Sequence, residues 1–140
     1  MIEMILSKIK IDEKRSEQII VLKEKDGDRF LPVVIGISEV NAIKLKLSGI
    51  ELPRPMTHDL LLSAIQKLGG VMKRVQIDRM DNNTFYAKLV MTDSKGAEVQ
   101  VDSRPSDSIA LSIRAQVPIF VDEQVLSDAG LSAEEGEGNA

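Results

Sequence analysis

The 140-residue sequence has no cysteine and no tryptophan. Without thiols there can be no disulfide, no thiolate zinc site and no cysteine nucleophile. Aromatics are scarce, with three Phe and one Tyr, so unpaired bases would find few faces to stack on. No apolar stretch approaches the roughly 20 residues of a membrane-spanning helix, and the longest, Phe30–Ile37, ends after eight. No secretory pattern is visible, because Glu3, Lys8 and Lys10 already interrupt the first apolar positions. A soluble, cytoplasmic protein that does not enter membranes is expected. A basic excess is also missing. Eighteen Lys+Arg against 22 Asp+Glu give a net charge of −4, the wrong sign for retention on nucleic acid by counterion release. Three of the acids, Glu134, Glu135 and Glu137, lie in the last nine residues. At 43% hydrophobic and 29% charged, the chain is outside the disordered classes. Its length suffices for one core and not two.

What is present is regular patterning. Residues 3–11 and 18–24 read as strands, and Asp26-Gly27-Asp28 as a hairpin turn into Phe30–Ile35. That last run is apolar enough to be buried on both faces. Phe85, Ala87, Leu89 and Met91 alternate with Tyr86, Lys88, Val90 and Thr92 behind an Asp81-Asn82-Asn83 turn. After Lys95-Gly96, Ala97, Val99 and Val101 point one way and Glu98, Gln100 and Asp102 the other. Helical spacing appears in Val40, Ile43 and Leu47, and in Leu61, Ile65 and Leu68 between a Thr57 N-cap and Gly69-Gly70. It appears again in Ile109 and Ile113 after Pro105. A short strand at Pro118–Val121 and a short helix near Glu123–Ala129 follow. The expected fold is α+β, a single domain over 1–131 with an acidic disordered tail at 132–140. Its mixed, mostly antiparallel sheet carries three to four helices, the principal ones near 38–48, 57–68 and 105–116.

The segment Ile20–Leu47 resembles Leu89–Ala115, each reading as strand, turn, strand, helix. The helix entries match in frame: Ser38-Glu39, Ala42-Ile43 and Lys46 against Ser106-Asp107, Ala110-Leu111 and Arg114. One reading is two copies of a β-β-α unit burying each other's apolar faces. The other is chance similarity between two amphipathic helices.

Reactive side chains concentrate in two loops that lead into helices, Pro53–Leu60 and Asp102–Asp107. The first holds Arg54, Asp59 and His58, the only histidine. The second holds Asp102, Arg104 and Asp107. Asp102 and Asp107 lie five apart across a turn, a spacing that suits one hard cation such as Mg²⁺. Arg54 and Arg104 offer planar forks for phosphate. Plainer readings exist. Asp59 and Asp107 fall in first helical turns, where free N–H groups favour carboxylates. His58 can bond within its loop, and Arg104 can form an ordinary ion pair. No zinc spacing, phosphate-binding glycine loop or nucleophile elbow occurs.

Leu31–Gly36, Arg54–Leu60, Phe85–Leu89, Val101–Leu111 and Pro118–Val121 together resemble the bifunctional nuclease domain, over about a hundred residues. The resemblance implies nuclease activity on DNA and RNA. On that footing His58, Asp59 and Asp107 are the expected catalytic groups, with Arg54 and Arg104 binding phosphate. Asp102 and Asp107, with Glu39 or Asp59, would hold Mg²⁺ or Mn²⁺. His58, Asp59, Asp102, Arg104 and Asp107 should then meet at one cleft. A different class remains, a non-catalytic oligomeric binding module, favoured by the acidic balance. In either case the apolar stripe of Leu60–Leu68 leads us to expect a homo-oligomer, most simply a two-fold dimer.

Overall fold

A computed structural model of the chain describes residues 1–12 and 17–132. The elements run β1 (Ile2–Asp12), β2 (Glu17–Glu24), β3 (Phe30–Ile35), α1 (Ile37–Leu47), α2 (Thr57–Lys67), β4 (Val71–Asp81), β5 (Thr84–Thr92), β6 (Glu98–Ser103), α3 (Pro105–Ala115), β7 (Ile119–Val121) and α4 (Glu123–Ala129). One seven-stranded sheet has the order β3-β2-β1-β7-β4-β5-β6. Only the β4–β7 pair is parallel. The α+β expectation holds. Residues 133–140, where the acidic tail was expected, lie outside the described residues. No helix among the described residues is long and apolar enough to cross a membrane.

Strand β4 is the element the sequence did not reveal, and its pairing explains why. Its register with β5 shifts twice, between Met72 and Arg74 and between Ile77 and Arg79. Each bulge reverses which residues face inward. Met72, Val75 and Ile77 are all buried although they do not alternate evenly. Charged Lys73 and Asp78 stand at the shifts. The β4–β5 hairpin itself closes on Asn82 and Asn83, with φ of 51° and 61°, the left-handed pair of a tight two-residue turn.

Strand β3 corrects another expectation. It is an edge strand, and Val34 is 57% exposed while Leu31 and Val33 are buried. Pro32, which cannot donate to a ladder, suits an edge. At the helix entries, Pro105 occupies the first turn of α3 as expected. Thr57 is the first residue of α2 and Met56 its cap. Gly69 ends α2 in the left-handed region, at φ 87°, and space also demands glycine there: a Cβ on Gly69 would lie 2.7 Å from Ser94 and one on Gly70 2.8 Å from Ile65.

The similar segments adopt the same arrangement, and each gains a strand. Strands β1-β2-β3 lead into α1, and β4-β5-β6 lead into α3. The two meanders run outward from a common strip, β7, which is antiparallel to β1 and parallel to β4. Helices α1 and α3 pack on each other. Val40 and Ile43 of α1, Ile109 and Leu111 of α3, and Val125 and Leu126 of α4 join one core cluster with the sheet. Arg29 ties the β2–β3 turn to α4, bonding Glu24 at 2.7 Å and Glu123 at 2.9 Å.

Ile77 is fully buried in β4. Ile77→Ala is expected to cost about 3 kcal/mol in urea denaturation, through lost transfer energy and a cavity. A cost below about 1 kcal/mol would contradict this placement of β4 in the core.

Candidate active site

The starts of three helices converge. Ser38 and Glu39 open α1, Thr57 and His58 open α2, and Asp107 lies in the first turn of α3. With Ala42 and Met56 they line a hollow of about 280 Å³. Within it, His58 Nε2 stands 3.0 Å from Asp107 Oδ1. The imidazole is the sheltered partner, 12% exposed against 37% for Asp107. With Asp107 ionised, Nε2 carries the proton and Nδ1 is left as the basic nitrogen.

Arg104, the cap residue of α3, joins the two acids that the repeat places in equivalent frame. Its Nη2 pairs with Glu39, and its Nε lies 3.7 Å from Asp107 Oδ2. The Glu39 carboxyl is held below the usual carboxylate range by its own backbone amide and, next, by Arg104. His58, Arg104 and Asp107, three of the expected groups, therefore meet, and Glu39 meets them.

Asp59 is committed elsewhere. Its Oδ2 accepts from the Met56 amide at 2.9 Å, and its Oδ1 accepts from Arg114 Nε at 2.8 Å. Burial works against its ionisation, but the Met56 amide and Arg114 outweigh that and keep its carboxyl below the usual range. Arg114 also donates to the carbonyls of Ala110 at 3.1 Å and Ala42 at 3.2 Å. The sequence reading did not single out Arg114. Its match to Lys46 in the repeat carried no sign that one cation is buried and the other exposed.

Arg54 lines an adjoining hollow of about 340 Å³ with Lys46, Asp59 and Arg114. Asp102 is not at the site. It stands opposite Lys88 in the β5–β6 ladder and lines a separate hollow with Asp78, Arg79 and Tyr86. Strand alternation sends Asp102 to the sheet face away from the core cluster, while the chain turns at Arg104 to lay α3 on the core face. The expected Asp102–Asp107 cation pair is thereby separated, and so is the five-residue cleft. Among the described residues, no group of three or more His, Asp or Glu is arranged to hold a metal ion.

The bifunctional nuclease domain matches residues 20–134 of this chain. A Mycobacterium tuberculosis protein described as uncharacterised is 43% identical over 123 residues, covering 88% of this chain and 73% of the relative. Bifunctional nuclease 1 of Oryza sativa subsp. japonica is 26% identical over 126 residues, covering 88% of this chain and 38% of the relative. Bifunctional nuclease 1 of Arabidopsis thaliana is 24% identical over 115 residues, with coverages of 80% and 35%. The chain thus spans little more than a third of these plant proteins.

The Asp59–Arg114 bond gives folding a specific dependence on pH. The folded carboxyl titrates below its unfolded value of about 3.9. Its contribution is therefore whole above that value and is lost as pH falls through the folded one. Asp59→Asn keeps the shape and removes the charge. Asp59 is 41% exposed and solvent screens its bond, so the variant is expected to be less stable by about 1 kcal/mol in urea near pH 6, and the gap should shrink on going to about pH 2.5. A gap that does not change with pH would show that the ionised carboxylate is not Arg114's partner.

Proposed function

The chain belongs to the bifunctional nuclease domain family, and from that premise we propose that it hydrolyses phosphodiester bonds of DNA and RNA in the cytoplasm with metal assistance. The observation that carries the reading is the His58–Asp107 bond in a hollow bordered by Arg104 and Glu39. Asp107 orients the imidazole, so that Nδ1 can take a proton from the attacking water or return one to the leaving oxygen. Arg104 supplies a planar fork, and a bound phosphate would compete with Glu39 for it.

The donor set fits a hard cation. Glu39 and Asp107 both line the hollow, and Mg²⁺ or Mn²⁺ takes one or two carboxylates while keeping waters and substrate oxygens as its other ligands. Bound there, such an ion would polarise the phosphoryl group and offset its charge. Asp59 acts as a positioning residue. Through Met56 and Arg114 it holds the turn that presents His58.

A specific observation also supports assembly. No residue of α2 is buried, and Leu60, Leu61 and Leu68 are 61%, 40% and 83% exposed. A two-fold dimer burying this face is the simplest closure, since each copy offers the same patch to the other. The dimer is compatible with catalysis, and on its own it is what a binding module would need.

Asp107→Asn is expected to lower hydrolysis of single-stranded DNA and of RNA by about 100-fold or more while leaving the circular dichroism unchanged. EDTA should abolish wild-type activity and Mg²⁺ or Mn²⁺ restore it. Full activity of the variant would reject the site, and full activity in EDTA would reject the metal. A preparation free of host nuclease that cleaves neither substrate would favour the binding module. Light scattering should give about twice the 15.4 kDa of one chain; a monomer mass at micromolar concentration would remove the dimer.

A further inference from the structure

We infer that the hollow lined by Lys46 and Arg54 is a second phosphate subsite, and that with the His58–Asp107 hollow it forms one track for a single strand of nucleic acid. The inference deepens the nuclease reading and rests on it for the class of ligand. Continuity comes first. Met56 lines both hollows. Helix α1 floors both, with Ser38, Glu39 and Ala42 in one and Leu45 and Lys46 in the other. These positions recur at three and four residues, so they form one stripe along the helix. From Glu39 to Lys46 the stripe rises about 10 Å. A clamp on a single phosphate needs its donors within about 3 Å of the same oxygens. Lys46, in the second hollow, is thus placed to hold a neighbouring phosphate and not the one facing His58, and Arg54 lines the same hollow.

The two ends carry opposite charge. The first hollow presents Glu39 and Asp107, with Arg104 drawn onto both, so acid still exceeds base there. In the second, Asp59 and Arg114 neutralise each other, leaving Lys46 and Arg54 against Glu51. Neither Lys46 nor Arg54 makes a side-chain hydrogen bond or an ion pair among the described residues, and both are exposed. Pro53 and Pro55 flank Arg54 and fix the backbone that presents it, so less freedom is lost when its fork is engaged. An acidic end suited to a cation and a basic end suited to a phosphate are what a cleaved strand requires of adjacent steps.

Apolar walls complete the match to a nucleotide. Ile50 and Leu52 line the basic hollow while 57% and 46% exposed. A base that has left its stack can lay its face on them, whereas in a duplex both faces are covered by stacked neighbours. Neither hollow is lined by Asn or Gln, the side chains best suited to reading adenine.

The test measures binding by fluorescence anisotropy, in EDTA, of a single-stranded oligonucleotide of about 12 nucleotides. The Lys46→Ala/Arg54→Ala double variant should bind roughly tenfold more weakly or worse. Its slope of log affinity against log salt should be shallower by about 1.4, for two cations removed. Lys95→Ala, on an exposed turn away from both hollows, should bind like the wild type. Unchanged affinity or slope in the double variant would overturn the track, as would no wild-type binding or equally tight binding of a duplex of the same length. The readout needs no turnover. Absent hydrolysis with the binding loss intact sinks the nuclease reading and leaves the track, whereas intact hydrolysis with binding unchanged sinks the track alone.

Discussion

A guanidinium has five N–H groups, and Arg114, whose side chain is 3% exposed, uses three of them on partners in three helices. It is rooted in α3 and bonds the Ala110 carbonyl there, the Ala42 carbonyl of α1 and the Asp59 carboxylate of α2. Leaving any of these groups unpaired in a buried place costs about 1–3 kcal/mol. That penalty matters most for α2, which has no buried residue and reaches the core only through Leu62 and Ile65. Without Arg114, the start of α2 would be held mainly by the His58–Asp107 bond and by Leu62 and Ile65. His58 immediately precedes Asp59, so the bond that orders the helix start also delivers the imidazole to Asp107.

The two halves of the fold meet here in an unequal way. Lys46 and Arg114 occupy matching positions, yet one is exposed and the other buried. Where α3 begins after Arg104, α1 begins after Gly36. The Glu39 carboxylate occupies the space that a Cβ on Gly36 would take, and there it receives Arg104 from the other half. A small residue in one copy accommodates the long one in the other. Related segments can in this way generate a single site instead of two equal ones.

Much of this was legible because local patterns dominate where ladders are regular. Strands β2 and β5 alternate or turn as their sequences suggest, and all four helices fall within a residue or two of their spacing. Strand β6 falls where expected but as an edge strand leaves Val99 and Val101 37% and 41% exposed. Strand β4 was not legible, because a period-two search fails across two bulges and the charged residues at them resemble a loop. At the site, proximity in sequence misled for Asp102. Its own strand pattern already assigned it to the polar face, and that signal outranks a five-residue spacing to Asp107. Asp59 looked catalytic by residue type, but its partner lies 55 residues away, and no local pattern encodes such a contact. The repeat was the better guide, since it puts Glu39 in frame with Asp107 and both acids meet Arg104.

The net charge of −4 is a sum over the whole chain, and pairing an acid with a base leaves it unchanged while fixing where charge is cancelled. Glu24 is bonded to Arg29, Glu39 to Arg104, Asp59 to Arg114 and Asp78 to Lys88, and Glu134, Glu135 and Glu137 lie in the last nine residues, outside those described. What an approaching strand meets is the local balance at the groove, screened beyond about 8 Å at physiological salt. There an acidic hollow and a basic hollow adjoin. Arg104 already offsets part of the acid in the first hollow, so the basic hollow can hold a strand without a metal, and a cation at the acidic end would add to that affinity. Composition, which counts every charge once and at no position, cannot register such an arrangement.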